Sequence, residues 1–274
     1  PDFFLNSAKK TPSATIGAIL TEFEKICLKV KPDAIFILGD TNSGLSSITA
    51  KKMKIPIFHY EAGNRCFDQR VPEEINRKII DHISDINITY TQIAKDYLQK
   101  EGLNPYAIIK VGSPMREIIN FYKNKITKSN ILKRLSLKKN KFILMSFHRE
   151  ENIDNQNNFE KFLKIINYLS LKKKETILVS THFRTLKKIN ELKIKFPHNV
   201  IIHKPFSFID YLKLQINADI IISDSGTITE ESSILGLKAI SLRASHERPE
   251  GIEEGTVIFN NLEMKTFEAS YKVL

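Results

Sequence analysis

Polar side chains that can move protons or bind anions recur directly after short apolar runs of this sequence. A single residue of this kind is most often part of a turn or a helix cap. Five such positions after five predicted strands favour a site, because the carboxyl ends of parallel strands share one edge of a sheet, where ligands bind. The pattern does not indicate which reaction the site performs. The positions are Asp40, Glu61, His148, His182 and the triplet Asp224-Ser225-Gly226.

Carboxylates and arginines are concentrated in the segment 61–77. One interpretation is a surface network of ion pairs, which contributes little stability. The other is an acid/base set whose pKa values are tuned by neighbouring charges. Gly63 and Pro72 are untypical of one long solvated helix and favour a structured loop. The charged residues of the segment include Glu61, Glu73, Glu74, Arg65, Arg70 and Arg77.

The residues after position 223 are suited to bind an anion. Asp224-Ser225-Gly226-Thr227 leads directly into a predicted helix, whose free N–H groups and positive dipole end favour a phosphate. Glu231 on that helix can accept hydrogen bonds from the hydroxyls of a ribose. A helix cap of Ser or Thr followed by Glu fits the local sequence equally well. His148 and Arg149 place an imidazole beside a guanidinium, which is suited to a pyrophosphate.

A parallel sheet must position these residues, because short β-branched runs alternate with helical periods along the chain. The charged, helical stretch 115–139 is predicted to cross from one lobe to another. The predicted fold class is therefore α/β with two doubly wound lobes, residues 1–120 and 121–274, and a cleft between the lobes is the expected ligand site. The predicted strands lie at 34–38, 57–60, 86–89 and 108–111 in the first lobe and at 142–145, 176–180, 200–203, 220–223 and 239–242 in the second.

Composition and charge narrow the classes of protein to which this chain can belong. The 274 residues are 42% hydrophobic and 27% charged, as is typical of a globular protein. No apolar run is long enough to cross a bilayer and the first residues do not form a signal peptide, so membrane insertion is not expected. Cys27 and Cys66 match no metal or disulfide pattern, and a reducing cytoplasm is the simplest setting. The net charge of +11 is spread over scattered lysines, which favours a solvated surface over a nucleic-acid site.

Seven short motifs occur in the order in which one enzyme family carries them. Each motif alone is weak, but the ordered set covers most of the chain and is highly specific. It resembles the non-hydrolysing UDP-N-acetylglucosamine 2-epimerase family. The motifs are Gly39-Asp40-Thr41, His59-Tyr60-Glu61-Ala62-Gly63, Pro72-Glu73-Glu74-Ile75-Asn76-Arg77, Gly112-Ser113-Pro114, Ser146-Phe147-His148-Arg149-Glu150-Glu151-Asn152, Asp224-Ser225-Gly226 and Glu247-Arg248-Pro249-Glu250.

One segment resembles a subgroup of that family. The sequence from Glu61 to Pro72 is similar to the bacterial enzymes that make UDP-N-acetyl-L-fucosamine for capsule and O-antigen. Those enzymes invert C2 of UDP-2-acetamido-2,6-dideoxy-L-talose. The usual UDP-N-acetylglucosamine enzymes have a different loop between the Glu-Ala-Gly and Pro-Glu-Glu motifs. The resemblance therefore implies the fucosamine substrate, with the interconversion of UDP-N-acetylglucosamine and UDP-N-acetylmannosamine as the alternative.

The resemblance also assigns roles to residues of this sequence. It implies acid/base or catalytic positions, a supporting arginine at Arg77, UDP-binding positions and a substrate-binding arginine at Arg248. Tyr211 lies where the family has an aromatic side chain under the uracil, and His182 is placed by spacing. Arg149 and Thr227 complete the predicted substrate-binding set. The catalytic positions are Asp40, Glu61, Glu73 and His148, and the UDP-binding positions are Ser225, Gly226 and Glu231.

The implied architecture is a pair of Rossmann-like lobes of the glycosyltransferase-B-like kind, and the implied reaction uses no metal and no nicotinamide cofactor. The C2 proton is removed while UDP leaves C1, and UDP adds back after reprotonation on the opposite face. The family opens with a strand and a Gly-Thr-Arg-Pro-Glu loop that helps to hold the diphosphate, and Pro1 corresponds to a point inside the first lobe. The 274 residues alone are therefore expected not to turn over.

Two other functions are compatible with the same residues. A two-lobed glycosyltransferase also binds UDP-sugars, but it needs an acceptor site and no carboxylates around C2. A non-catalytic UDP-sugar-binding protein is the alternative from a different class. The expected partner in each case is a UDP-2-acetamido sugar, and the expected assembly is a homodimer.

Overall fold

The computed structural model describes residues 1–243 and 255–274, without the side chains of Glu150 and Glu151. The chain divides into two compact units, Pro1–Ser113 and Pro114–Leu274. Each unit contains one sheet in which every pairing is parallel, with helices between the strands. The predicted fold class, α/β with two doubly wound lobes, is confirmed.

The first unit is a four-stranded sheet with its strands in chain order. Each strand runs parallel to the one before it, so the chain must return through a helix after every strand. The strands are β1 Ile35–Leu38, β2 Ile57–Tyr60, β3 Ile86–Thr89 and β4 Ile108–Lys110. The helices are α1 Pro12–Val30, α2 Ser47–Lys52, α3 Pro72–Ile83 and α4 Gln92–Lys100, with short 3-10 helices at Asn42–Ser46 and Pro105–Ala107.

The register of this sheet brings its carboxyl ends level. Leu38 pairs with Tyr60, and Tyr60 pairs with Ile88. The residues after β1 and β2, Asp40 and Glu61, therefore leave the sheet at the same edge.

The second unit is a six-stranded sheet in the order β10-β9-β8-β5-β6-β7. From β5 the chain adds β6 and then β7 toward one edge of the sheet. It returns to the middle, where β8 pairs with β5, and then adds β9 and β10 toward the other edge. This is the Rossmann strand order, whose reversal point between β5 and β8 is where such sheets bind ligands. The strands are β5 Phe142–Phe147, β6 Thr176–Thr181, β7 Val200–His203, β8 Ile220–Ser223, β9 Ala239–Leu242 and β10 Ile258–Asn260.

Helices cover both faces of this sheet. All six residues of β5 are buried, and alternate residues pack into different cores, with Met145 facing Phe162 of α8 and Leu144 facing Leu214 of α10. Burial of each such side chain contributes about 2 kcal/mol, so both cores stabilise β5 in the middle of the sheet. The helices are α5 Met115–Lys128, α6 Ile131–Arg134, α7 Glu150–Ile153, α8 Gln156–Lys172, α9 Phe183–Glu191, α10 Phe208–Asn217, α11 Ile228–Leu235 and α12 Met264–Val273.

The stretch predicted to cross between lobes belongs structurally to the second unit. Ile119 and Ile126 of α5 are buried against Leu212 of α10. The two units therefore divide before α5, at Ser113, whereas the sequence placed the division after residue 120. None of the helices that the structure describes combines the length and the apolarity needed to cross a membrane.

Candidate functional site

The reversal point of the second sheet carries a histidine oriented by a buried aspartate. Asp224, directly after β8, accepts hydrogen bonds from the backbone N–H groups of His148, at 3.0 and 3.1 Å, and of Arg149, at 2.9 Å. The Nδ1 atom of His148 lies 3.0 Å from Oδ1 of the same carboxylate. The imidazole is 44% exposed. Asp224 thus ties the loop after β5 to β8 and leaves Nε2 of His148 directed away from the pair.

Asp224 is a carboxylate at neutral pH. Its complete burial raises the pKa of the carboxyl, because burial disfavours the charged form. Hydrogen bonds from His148 and from the backbone of Arg149 outweigh that effect and leave the pKa of Asp224 below its ordinary value. The negative charge favours a proton on Nδ1 of His148, which fixes the ring orientation.

Two guanidinium groups approach the turn that precedes α11. A Cβ atom placed on Gly226 would lie 3.2 Å from Nη1 of Arg243 and 3.9 Å from Nη2 of Arg149. The turn leads into the amino end of α11, where free N–H groups and the helix dipole attract negative charge. A glycine keeps this approach open. The arrangement suits a phosphate or diphosphate.

Arg243 was missed by the sequence analysis, although a signal for it existed. It directly follows the predicted strand 239–242, as Asp40 and Glu61 follow theirs. Arg243 is 6% exposed, so most of its side chain lies inside the second unit.

A buried glutamate and a partly buried tyrosine lie behind this turn. Glu231 of α11 is 6% exposed, and Nε2 of Gln215 donates to its Oε2 at 2.6 Å. Burial raises the pKa of Glu231. The Tyr211 hydroxyl donates to Oγ of Ser146 at 3.0 Å, and Ser146 Oγ lies 2.6 Å from Ser223 Oγ. The hydroxyl of Tyr211 is therefore used to join α10 to β5 and β8.

In the first unit, one arginine joins the two carboxylates that follow β1 and β2. Arg77 of α3 is 3% exposed and forms an ion pair with Asp40 through Nη2. The same Nη2 lies 3.8 Å from Oε1 of Glu61, and Nη1 donates to the Glu61 backbone carbonyl. The Asp40 and Glu61 side chains are 14% and 20% exposed, so both keep some access to solvent. Two carboxylates beside one guanidinium are candidates for a general acid and a general base.

The backbone at Glu61 adopts an unusual conformation. Its φ of +69° lies in the left-handed region, which costs a residue with a side chain about 1 to 2 kcal/mol. A hydrogen bond from Ala62 N–H to the Ile88 carbonyl, at 3.1 Å, holds the chain there. At Gly63 a Cβ atom would lie 2.4 Å from the Ala94 carbonyl oxygen, so only glycine fits. The Glu-Ala-Gly sequence is thus a strained turn that aims Glu61, as is common at functional sites.

The family model for UDP-N-acetylglucosamine 2-epimerase matches residues 1–272 of this chain. The chain belongs to that family. A UDP-N-acetylglucosamine 2-epimerase of Methanococcus maripaludis is 37% identical over 262 residues, which are 92% of this chain and 71% of that protein.

Solved structures of family members are also similar. The structure of UDP-N-acetylglucosamine 2-epimerase from Rickettsia bellii is 46% identical, with a TM-score of 0.89 over 99% of this chain and 73% of that one. The Methanocaldococcus jannaschii enzyme in complex with UDP-GlcNAc and UDP is 33% identical, with a TM-score of 0.88 over 100% of this chain and 77% of that one.

The remaining predicted residues of this epimerase-family chain are less concentrated. Glu73, at the start of α3, is exposed, and its side chain has no partner among residues 1–243 and 255–274. Its neighbour Glu74 is buried and accepts from the Cys66 N–H at 2.9 Å. His182 directly follows β6, and its Nδ1 is buried without a hydrogen-bond partner in the described part of the chain. Arg248 lies outside the described residues.

Proposed function

We propose that this member of the 2-epimerase family inverts C2 of a UDP-2-acetamido sugar by elimination and re-addition of UDP. The observation that carries the proposal is the pair of carboxylates, Asp40 and Glu61, held by the single guanidinium of Arg77. Inversion at C2 needs one group that removes a proton and another that returns one to the opposite face, and two carboxylates with solvent access can supply both.

The reaction balances without any oxidant. A carboxylate takes the C2 proton, the electron pair of the C2–H bond forms the C1–C2 double bond, and the bond between C1 and the UDP oxygen breaks. The product is a 2-acetamidoglycal beside UDP. A proton then adds to the other face of C2 and the UDP oxygen re-forms its bond to C1. Asp40 and Glu61 serve as base and acid, with Glu73 as the third candidate.

The second unit is suited to stabilise the leaving diphosphate. We assign the diphosphate to the turn at Ser225, Gly226 and Thr227, with Arg149 and Arg243 as counter-charges. Charge develops on the diphosphate as the C1–O bond breaks, and oriented donors lower that barrier most when they are fixed in advance. His148 is such a donor, because Asp224 holds its ring.

The other residues of the second unit are assigned to the nucleoside and the sugar. Glu231 accepts hydrogen bonds from the ribose hydroxyls, since it is a buried carboxyl on the helix that follows the phosphate turn. His182 and Tyr211 border the nucleotide, and Arg248 binds the substrate.

Incubation with a UDP-sugar in D2O tests the reaction, using the protein expressed from its complete gene. Deuterium at C2 is the expected result. Transfer of the sugar only when an acceptor is added would identify a glycosyltransferase, and UDP-sugar binding without any exchange would identify a binding protein.

Amide variants test the residues. Asp40→Asn, Glu61→Gln and Glu73→Gln keep the shape of each side chain and remove its basicity. We expect each to lower turnover by about 10²-fold or more, the usual scale for a general acid or base. UDP affinity should stay within a few-fold, measured by calorimetry. Glu22→Gln on the exposed face of α1 is the matched control. Normal turnover in all three folded variants would overturn the acid/base assignment.

We propose UDP-2-acetamido-2,6-dideoxy-L-talose as the sugar substrate, in the synthesis of UDP-N-acetyl-L-fucosamine for a bacterial capsule or O-antigen. The support is the sequence from Glu61 to Pro72. The names of the relatives favour UDP-N-acetylglucosamine as the second candidate. Parallel assays with the two UDP-sugars distinguish these candidates. A higher kcat/KM for UDP-N-acetylglucosamine would reject UDP-2-acetamido-2,6-dideoxy-L-talose as the substrate.

We also propose a cytoplasmic homodimer. Both cysteines are free thiols, as a reducing compartment would keep them. Sedimentation of the purified protein tests the assembly, and a single species of monomer mass would contradict it.

A further inference from the structure

His59 of β2 lies between two hydrogen-bond acceptors. Its imidazole is fully buried, with Nδ1 2.8 Å from Oδ1 of Asp81 and Nε2 2.9 Å from the backbone carbonyl oxygen of Gly39. A carbonyl oxygen can only accept. The ring is therefore held at both nitrogens, by a side chain of α3 and by the turn after β1.

Asp81 is ionised. Its burial raises the pKa of the carboxyl, but hydrogen bonds and charge from His59 and Arg65 outweigh burial and bring the pKa below its ordinary value. Arg65 Nη1 donates to Oδ2 of Asp81 at 2.7 Å, and the Gly63 N–H lies 3.3 Å from both carboxylate oxygens. A carboxyl surrounded by donors has no acceptor to receive a proton of its own.

Arg65 extends the cluster from Asp81 to a carboxylate at the surface. It forms a two-pronged pair with Glu101, with its Nε and Nη2 at 2.8 and 2.7 Å from the carboxylate oxygens. The Glu101 side chain is 26% exposed, whereas Arg65 and Asp81 form a fully buried ion pair. His82, 3.7 Å from Glu101, is 45% exposed and lies at the edge of the cluster.

The cluster reaches both turns that carry the candidate acid and base. The carbonyl bound by His59 belongs to Gly39, directly before Asp40. Asp81 accepts hydrogen bonds from the N–H group of Gly63 and from the side chain of Arg65. Both residues follow closely after the strained Glu61. One buried pair therefore links the turn after β1 to the turn after β2.

We propose that His59 is a positioning residue, which together with Asp81 holds Asp40 and Glu61 where Arg77 can pair with both. Its effect on turnover rests on the proposed epimerase function. Loss of either hydrogen bond would release one of the two turns, and a displacement of about 1 Å in a reacting group lowers turnover by about 10²-fold.

His59→Gln tests the positioning role, since glutamine can keep only one of the two donors. Below its melting temperature, we expect kcat to fall by about 10²-fold while KM and UDP affinity stay within a few-fold. The matched control is His82→Gln, on the same cluster but outside the His59–Asp81 pair, which should turn over normally. A normal kcat in folded His59→Gln, with an active parent protein, would overturn the positioning role. An inactive parent would instead reject the epimerase function, and the melting temperatures of the two variants would then test whether His59 holds the two turns.

Discussion

Each unit of this protein contains a histidine paired with a buried aspartate, but the two pairs differ at the second ring nitrogen. His59 Nδ1 lies 2.8 Å from Asp81, and His148 Nδ1 lies 3.0 Å from Asp224. His59 is fully buried and its Nε2 meets a backbone carbonyl, whereas His148 is 44% exposed. The first pair is closed inside the protein, and the second leaves one nitrogen available to a ligand.

The comparison shows that a histidine–aspartate pair does not by itself mark a site of chemistry. Both aspartates have a lowered carboxyl pKa, because in each case hydrogen bonds and charge outweigh burial. What distinguishes them is the backbone to which the histidine belongs. His59 lies within β2 and faces the core, while His148 lies after the end of β5.

The largest expected difference concerns stability. Asp81→Asn leaves the buried guanidinium of Arg65 without its fully buried carboxylate partner, and we expect a loss of about 3 to 5 kcal/mol in the free energy of unfolding. Asp224→Asn should lose about 1 to 3 kcal/mol, because water can solvate the exposed His148. Chemical unfolding followed by circular dichroism measures both. Equal losses would remove the distinction between a closed and an open pair.

The stability that the two aspartates contribute depends on pH. Both carboxyls have folded pKa values below the unfolded value of about 3.9. Their stabilising contribution is complete above that value and is lost as the pH falls through the folded pKa values. The stability gap between the parent and Asp81→Asn should therefore narrow in acid. A gap that stays constant down to about pH 2 would contradict the assignment of Asp81 as a carboxylate.

A second, smaller effect is a loss of turnover at the open pair. His148→Asn keeps a donor toward Asp224 and removes Nε2, so we expect turnover to fall by about 10²-fold with little change in melting temperature. His203→Asn is the control, since the contacts of the His203 ring lie outside the His148–Asp224 pair: it stacks on Phe206, with ring centroids 4.1 Å apart, and its Nδ1 lies 2.6 Å from the Lys204 carbonyl oxygen. If His148→Asn kept full turnover, the open pair would have no catalytic role.

The smallest effect concerns the nucleotide. Glu231→Gln removes a buried charge whose burial raises the pKa of the carboxyl, so the folded protein should be no less stable. UDP affinity should fall by about tenfold, the worth of a charge-assisted hydrogen bond to the ribose. Glu230→Gln, one residue earlier on α11, is the matched control for calorimetry. Unchanged UDP affinity in Glu231→Gln would reject the ribose assignment.

Much of the fold was predictable from local sequence. The apolar runs that became β1 to β9 were identified because buried parallel strands are short, β-branched and bounded by turns. The strand β10, Ile258–Asn260, was missed because it has three residues and little periodicity. Arg243 was missed for a different reason, since only its position after β9 marks it, and its side chain resembles any surface arginine in the sequence.

Motif order and strand patterning were enough to predict the family, the two lobes and the positions after strand ends where Asp40, Glu61, His148 and Asp224 lie. These features are local, because strand periodicity and motif order are properties of neighbouring residues. Which charged groups meet is visible in the folded chain and not in the sequence. Arg77 pairs with Asp40 from 37 positions away, and Asp224 reaches His148 from 76 positions away. Such contacts depend on strand order and register, so the difference between the closed His59 and the open His148 became visible only in the folded chain.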